Sequence, residues 1–455
     1  MKILHTSDWH LGQNFFTKSR RYEHQSFLQW LLELVDKESV DAIIIAGDVF
    51  DTGSPPSYAR EMYNQFVVDL HHTDCSLVVL GGNHDSVSML NESKELLACL
   101  NTHVIANTHD DIDSQVITLS TRTKEVGAVL CAVPFIRPRD VVQSVAGSSS
   151  TDKKQALGLA IQQHYERLYQ HALERKTSIE TTTSNSKYIP IIATGHLTAV
   201  GVTSSDSVRD IYIGSLEAFD ASAFPPVDYM ALGHIHRPQI VAKSESIRYC
   251  GSPIPLSFDE IKGFDEIKEL DGRKNSDGKT YQQIPNKQVV MIEFNDGHKK
   301  ITPVSIPIFQ PMAVINGALE EIALKLQQFT QSEQTVWLCI HVEIQDYLSD
   351  LQQRIQLMVE GLNVEVLQLR RTRSKQAKAL SQVKNETLAE LSPQDVFIKR
   401  LELESFESEG EIKRKDRIID HFNVMLSEIE LKDSMLDAAE ASDTDGPKSQ
   451  QGESK

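Results

Sequence analysis

Cysteine is scarce: the five residues Cys75, Cys99, Cys131, Cys250 and Cys339 are scattered, odd in number and never in a CxxC pair. That spacing excludes a disulfide framework and a zinc knuckle, and it points to a reducing compartment. No apolar run reaches the roughly 18 residues that a membrane-spanning helix needs, so no membrane partner is expected. The first apolar run is broken by His5, Asp8 and His10, unlike a secretory signal, and a cytoplasmic chain is expected. No GxxxxGK[ST] occurs, which removes the usual phosphate-cradling loop for ATP. No internal repeat is found. Positive charge is also short, with 46 Lys+Arg against 64 Asp+Glu and a net charge of −18. Such a balance opposes broad electrostatic binding of nucleic acid. The deficit is uneven, however: from Leu401 onward 7 Lys+Arg face 15 Asp+Glu, a net of −8. Phosphate-bearing ligands would need local basic patches or metal ions.

What the chain does have is a hydrophobic content of 40% over 455 residues, enough for two or three domains. Residues 1 to about 260 read as alternating strands and helices. The apolar runs "DAIIIAGD", "SLVVLGGNHD", "GAVLCAVPF", "YIPIIATGH" and "DYMALGHIH" are strands, and 20–37 and 57–72 have helical spacing. Buried strands with helical crossovers imply an α/β layered fold, in which ligands sit beyond the strand ends. The polar stretches 144–154 and 176–187 read as loops flanking a helix at 155–175, and 271–287 as a surface hairpin or insertion. From 311 the order helix (316–330), strand (335–344), helix (348–360), strand (363–371) predicts a small α+β unit. A basic connector and two helical segments, 392–406 and about 408–431, precede an acidic tail expected to be disordered.

Ligand-type residues fall at the strand ends. "ILHTSDWHLG" places Asp8 and His10 two apart, on one face if the strand continues. Asp48 follows "IIIAG", Asn83, His84 and Asp85 follow "VVLGG", His196 follows "IIATG", and His234 and His236 follow "MALG". Glycine before most of them lets the backbone turn sharply. Seven ligands, Asp8, His10, Asp48, Asn83, His196, His234 and His236, are too many for one ion. Two ions sharing the Asp48 carboxylate accommodate them, and a mixed N/O set without thiolate favours Mn, Fe or Zn. Paired metals serve phosphoester chemistry. His84 is spare in this count and suits protonation of a leaving oxygen, with Asp85 orienting its other ring nitrogen.

The motifs D-x-H, GD, GNHD, GH and GHxH, in this order, resemble those of the calcineurin-like metallophosphoesterases. "HTSDWHLG", "AGDVFDTGSPPS", "GGNHDS", "SDSVRDIYIGSLEAF", "ALGHIHRPQ" and "YCGSPIPLSFDE" are similar to the SbcD nuclease-subunit family within them. The resemblance implies a layered β-sandwich core flanked by helices over 1–270, a capping domain at 305–373 and a helical region at 392–432 that binds the SbcC ATPase subunit. The polar insertion and connecting strands at 271–304, the linker at 374–391 and the disordered acidic tail at 433–455 are read from the residues themselves, and the insertion and the tail depart from the family's pattern. It implies Asp8, His10, Asp48 and His236 on one metal, and Asp48, Asn83, His196 and His234 on the other. His84 is then the catalytic histidine, supported by Asp85. Two Mn ions are implied, with Mg or Fe as alternatives, and ATP is used by the partner rather than bound here. The implied activity is double-strand exonuclease and single-strand or hairpin endonuclease on DNA, in repair, recombination and replication, by a homodimer of nuclease domains.

Two rivals remain. A metallophosphatase of the same superfamily would carry D-R-G and GNHE, where this chain has Asp51-Thr52-Gly53 and GNHD. A non-enzymatic DNA-end tether has no use for the spare His84. Arg137, Arg139, Arg209 and Arg237 lie near the motif loops, where they can meet phosphates or pair with carboxylates.

Overall fold

The computed structural model describes residues 1–108, 111–142, 150–182, 188–209, 218–261, 287–330, 332–343 and 350–372, together with Phe397, Lys415, 417–419 and 421–422. The chain divides into two compact units, Met1–Arg373 and Ser374–Lys455.

Two six-stranded sheets form the centre of the first unit. One runs, edge to edge, through His298–Ser305 (β14), Gln288–Asn295 (β13), Lys2–Thr6 (β1), Ala42–Ile45 (β4), Ser76–Leu80 (β5) and Thr102–Ile105 (β6). The other runs through Gln239–Val241 (β11), Ser244–Tyr249 (β12), Tyr229–Gly233 (β10), Ile191–His196 (β9), Val126–Cys131 (β8) and Val116–Ser120 (β7). Both sheets have a parallel centre and antiparallel pairing toward an edge. Their facing sides interdigitate through Ile3, Ile44, Val78, Leu130, Ile192, Tyr229 and Ile292, all buried. This sandwich explains the continuous apolar runs: β4, β5 and β10 are buried on both faces. Outside the first sheet lie the helices Arg21–Glu38 and Ser57–His71, whose Phe27, Leu31, Phe66 and Leu70 meet Leu4, Ile43 and Leu77. Outside the second lies Ser150–Thr182, packed through Leu157, Ile161, Tyr165 and Leu168.

Two expectations are corrected and a third falls almost wholly outside the described residues. The segment read as connecting strands, 288–305, is a hairpin whose β13 pairs with β1, so it belongs to the first sheet. The stretch 176–187 is helical as far as Thr182, where Thr181 and Thr182 hydroxyls bond back to carbonyls of the preceding turn. Most of 271–287 lies outside the described residues, but Lys287 is buried.

Three parallel strands, Met312–Gly317 (β15), Val336–Glu343 (β16) and Val364–Thr372 (β17), alternate with helices Leu319–Leu326 and Leu351–Val359 in the α+β unit. Ile315, Ile322, Leu338, Ile340 and Ile355 form its core. It docks on the sandwich through the small hairpin Asn14–Phe15 (β2) and Lys18–Ser19 (β3). Phe15 stacks on Trp337 at 5.9 Å and 7°, with Phe258, Met312 and Cys339 around them. In the second unit, Phe397 stacks on Phe422 at 3.7 Å; most of the two helical segments read from the sequence lies outside the described residues. The expected linker at 374–391 and tail at 433–455 lie outside the described residues. All five cysteines are free, and only Cys99 is exposed.

Candidate metal centre

Five loops leave the strand ends of the two sheets and meet at one point. The reason differs from simple strand alternation for Asp8 and His10. β1 ends at Thr6, and Asp8 (φ 54°) and His10 (φ 48°) are both left-handed. Asp48 (φ 52°) and His234 (φ 93°) share that conformation. Left-handed backbone is uncommon outside glycine, though Asp and His tolerate it better than most, and it clusters at functional sites. The strained loops are held by each other: the Asp8, His10 and Leu11 amides donate to Gly47, Asp48 and Val49 carbonyls at 3.0, 3.1 and 2.9 Å.

Glycine clears the space. A Cβ on Gly82 would lie 2.1 Å from Asp48 Oδ1, and one on Gly47 2.2 Å from His196 Nδ1.

All seven expected ligands come together. Candidate ligand atoms of Asp8, His10 and His236 lie within 4.8 Å of one another, as do those of Asp48, His196 and His234. Asn83 Oδ1 joins the second group, 2.8 Å from His196 Nε2 and 3.1 Å from His234 Nδ1. Asp48 stands between the groups, its Oδ2 3.2 Å from His196 Nε2 and 3.7 Å from His10 Nε2. The ligands other than Asn83 are at most 2% exposed.

Hydrogen bonds fix which nitrogen each ring presents. His196 Nδ1 donates to the Ala46 carbonyl at 2.9 Å, leaving Nε2 toward Asp48 and Asn83. His10 Nδ1 bonds the Asp51 carboxylate at 3.1 Å. His10 Nε2 and His234 Nε2 are then buried without a hydrogen-bond partner among the described residues. Orphaned imidazole nitrogens beside carboxylates are costly unless a cation takes their lone pairs. The residues therefore fit divalent metal ions.

His84 sits at the edge of the cluster, its ring 4.6 Å from that of His10. Its Nδ1 lies 2.7 Å from the Asp51 carbonyl, which can only accept, so Nδ1 carries the ring proton and Nε2 is left for proton transfer. Burial lowers its pKa, outweighing the Asp48 carboxylate. The expected support from Asp85 is not formed. The Asp85 carboxylate accepts instead from the Val49, Phe50 and Gly82 amides at 3.1, 3.0 and 2.9 Å. With its oxygens committed to backbone, Asp85 ties the Asp48 loop to the Asn83 loop, and Asp51 orients His84.

Of the arginines, Arg237 pairs with Asp259 at 2.8 Å and Arg139 with Asp140 at 3.7 Å. Arg137 lies over the Phe135 ring, donates to the Asp85 carbonyl at 3.3 Å and has a buried Nη1 without a partner among the described residues. Arg209 is exposed, yet close enough to act on Asp51 and His84. Between the His236 loop and β15–β17 lies a cavity of about 890 Å³, lined by Phe16, Arg237, Asp259, His341 and Arg370 among others.

Sequence reasoning missed the groups behind His236. Its Nδ1 lies 2.7 Å from Ser207 Oγ, which lies 2.6 Å from Glu260 Oε1. Glu260 is in turn paired with the buried Lys287. Burial alone would raise the Glu260 carboxyl, but Lys287 and His236 hold it well below the usual range. Asp51, three residues beyond Asp48 in "GDVFD", carried a visible signal; Lys287, 27 residues beyond Glu260, carried none.

The chain resembles known proteins along most of its length. Residues 1–238 match the model of the calcineurin-like phosphoesterases, and residues 308–405 match a domain described as the type 5 capsule protein repressor C-terminal domain. The chain is 49% identical over 410 residues to the SbcD component of the nuclease SbcCD of Escherichia coli K12, covering 90% of this chain and 94% of that one. Proteins of the same name from Rhodobacter capsulatus and Bacillus subtilis are 34% and 32% identical, each over 57% of this chain and over 64% and 63% of their own length. With the phosphoesterase motifs gathered into one buried donor cluster, the chain belongs to the calcineurin-like phosphoesterases and, among them, to the SbcD nuclease-subunit family.

Proposed function

We propose that the chain is a two-metal, Mn-using DNA nuclease, cutting duplex ends exonucleolytically and single strands or hairpins endonucleolytically. In this reading it works with a partner subunit SbcC, as the names of its relatives suggest, and the resemblance makes that partner the subunit that uses ATP. The observation that carries it is a buried cluster in which the candidate donors of both expected ligand sets meet, with His84 close to His10 and Asp48. Asp8, His10, Asp48 and His236 would hold one ion, and Asp48, Asn83, His196 and His234 would hold the other. Such ions supply Lewis acidity to a phosphoryl oxygen and a water of lowered pKa. The chain's own groups do the rest. In its doubly protonated form His84 would give its Nε2 proton to the leaving oxygen and return to the neutral ring, whose Nδ1–H is held by the Asp51 carbonyl. Arg137, with an unpartnered Nη1 next to the Asp85 loop, meets a substrate phosphate. The phosphodiester carries one charge fewer than a monoester, which suits a site with Asp51-Thr52-Gly53 where a monoesterase carries arginine.

The C-terminal segments, which contain the stacked Phe397 and Phe422, are the proposed ATPase-binding region, and a homodimer of nuclease domains is the proposed assembly. The test compares cutting of linear duplex DNA and of a small phosphomonoester, each with Mn, with chelator, and with and without SbcC and ATP. Mn-dependent cutting of DNA supports the proposal. Monoester hydrolysis without cutting of DNA in any mixture replaces it with the phosphatase reading.

A further inference from the structure

His236 is the one imidazole of the described cluster whose outer nitrogen is held by a hydroxyl rather than by a carbonyl or carboxylate. Ser207 Oγ lies 2.7 Å from His236 Nδ1 and 2.6 Å from Glu260 Oε1. An ionised carboxylate only accepts, so the single hydroxyl proton of Ser207 points to Glu260. Ser207 Oγ is thereby left as an acceptor toward the ring, and His236 must carry its proton on Nδ1. Its Nε2 is free to face Asp8 and His10.

The carboxylate that sets this polarity is itself fixed. Glu260 is 4% exposed and also accepts from the Ser205 hydroxyl at 3.1 Å and the Leu256 amide at 3.2 Å, while Ser252 Oγ and Ser257 Oγ lie 3.4 and 3.1 Å away with their protons on the Ile254 carbonyl and the Asp259 carboxylate. The Lys287 ammonium, 5% exposed, pairs with Glu260 and donates at 2.8 Å to both Ser252 Oγ and the His236 carbonyl. The same lysine therefore grips the ligand's backbone and the anion behind its ring. A buried charge pair tied to the Ser205, Ser207 and Ser252 hydroxyls is a costly way to fill a core, since apolar packing of equal volume is often as stable. Its geometry instead serves the ligand. Second-sphere partners of this kind fix tautomer and ring direction, and removing one typically lowers metal affinity.

We propose that Ser207, Glu260 and Lys287 form a positioning relay that locks the tautomer of His236 and so sets the affinity of the Asp8–His10–His236 metal position independently of the other. The proposal rests on the two-metal reading. It is tested with the full-length chain by Mn(II) titration, read by metal analysis after dialysis and by electron paramagnetic resonance. Wild type should hold two ions with an exchange-coupled signal. Ser207→Ala should keep one tight ion, bind the other about 10- to 100-fold more weakly, and show an uncoupled six-line Mn signal at one equivalent. Ser207→Thr, which retains the hydroxyl, should restore the coupled signal. Glu260→Gln combined with Lys287→Met removes both buried charges together and should match Ser207→Ala. Thermal melts of each variant separate loss of metal from loss of fold. Two ions of unchanged affinity in a folded Ser207→Ala overturn the relay while leaving the two-metal reading intact. A wild type that never takes up a second ion overturns the two-metal reading itself, and the relay with it.

Discussion

Asp48 and His196 are 3.2 Å apart and both buried, which sets the proton traffic of the centre. Without metal, burial pushes the His196 imidazole down, but the Asp48 carboxylate outweighs it and raises the pKa to about 9. A group raised in this way holds its proton at pH 7 and loses it only as pH climbs through about 9. Metal must displace that proton, so affinity should rise with pH across this window and binding should release about one proton from this pair at pH 7. Calorimetric titration with Mn at pH 7 in buffers of different ionisation enthalpy checks it: apparent heats should vary with the buffer, and identical heats contradict it. The seven candidate ligands that the fold brings together stood out in the sequence because each follows an apolar run, usually with glycine before it. Their approach did not. Asp8 and His10 converge through left-handed turns rather than strand alternation, because the chain leaves β1 at Thr6. Asp85 was misjudged for a related reason: adjacency to His84 in "GNHD" says nothing about the three backbone amides that claim its carboxylate.

At the level of elements, the sandwich was legible wherever burial on both faces produced unbroken apolar runs. The β13–β14 hairpin escaped notice because β14, at the sheet edge, carries the mixed pattern "HKKITPVS". The α+β unit was legible from its alternation, but its docking was not, since Phe15 and Trp337 are 322 positions apart in the numbering. Their stacking at 5.9 Å is the centre of that interface, supported by a Lys18–Glu365 ion pair at 2.6 Å. Trp337→Ala should lose about 3 kcal/mol of stability, as buried large-to-small aromatic substitutions do. Urea denaturation followed by circular dichroism measures this. Turnover of a small diester should survive, because none of the seven metal ligands lies in the α+β unit, whereas cutting of long DNA should fall. Equal loss of both activities contradicts a positioning role for this unit.

Across the whole molecule, a net charge of −18 limits how DNA can be held. Arg237 and Arg139 are already paired, leaving Arg137 and Arg209 as the arginines of the motif loops without a carboxylate partner among the described residues. Binding of duplex DNA by the isolated chain should therefore depend weakly on salt, with a log–log slope of magnitude no more than about 3, since each neutralised phosphate contributes roughly 0.9. Anisotropy titrations between low and moderate salt give the slope, and a steep one would place an unrecognised basic surface on the chain. The account as a whole turns on the proposal that His84 moves a proton beside two metal ions held by the other donors. The most direct measurement is Mn-dependent DNA cutting by His84→Gln, with metal content determined on the same sample. The account predicts two ions retained and cutting reduced by about 100-fold or more, in line with loss of a general acid. Full cutting with two ions would contradict it.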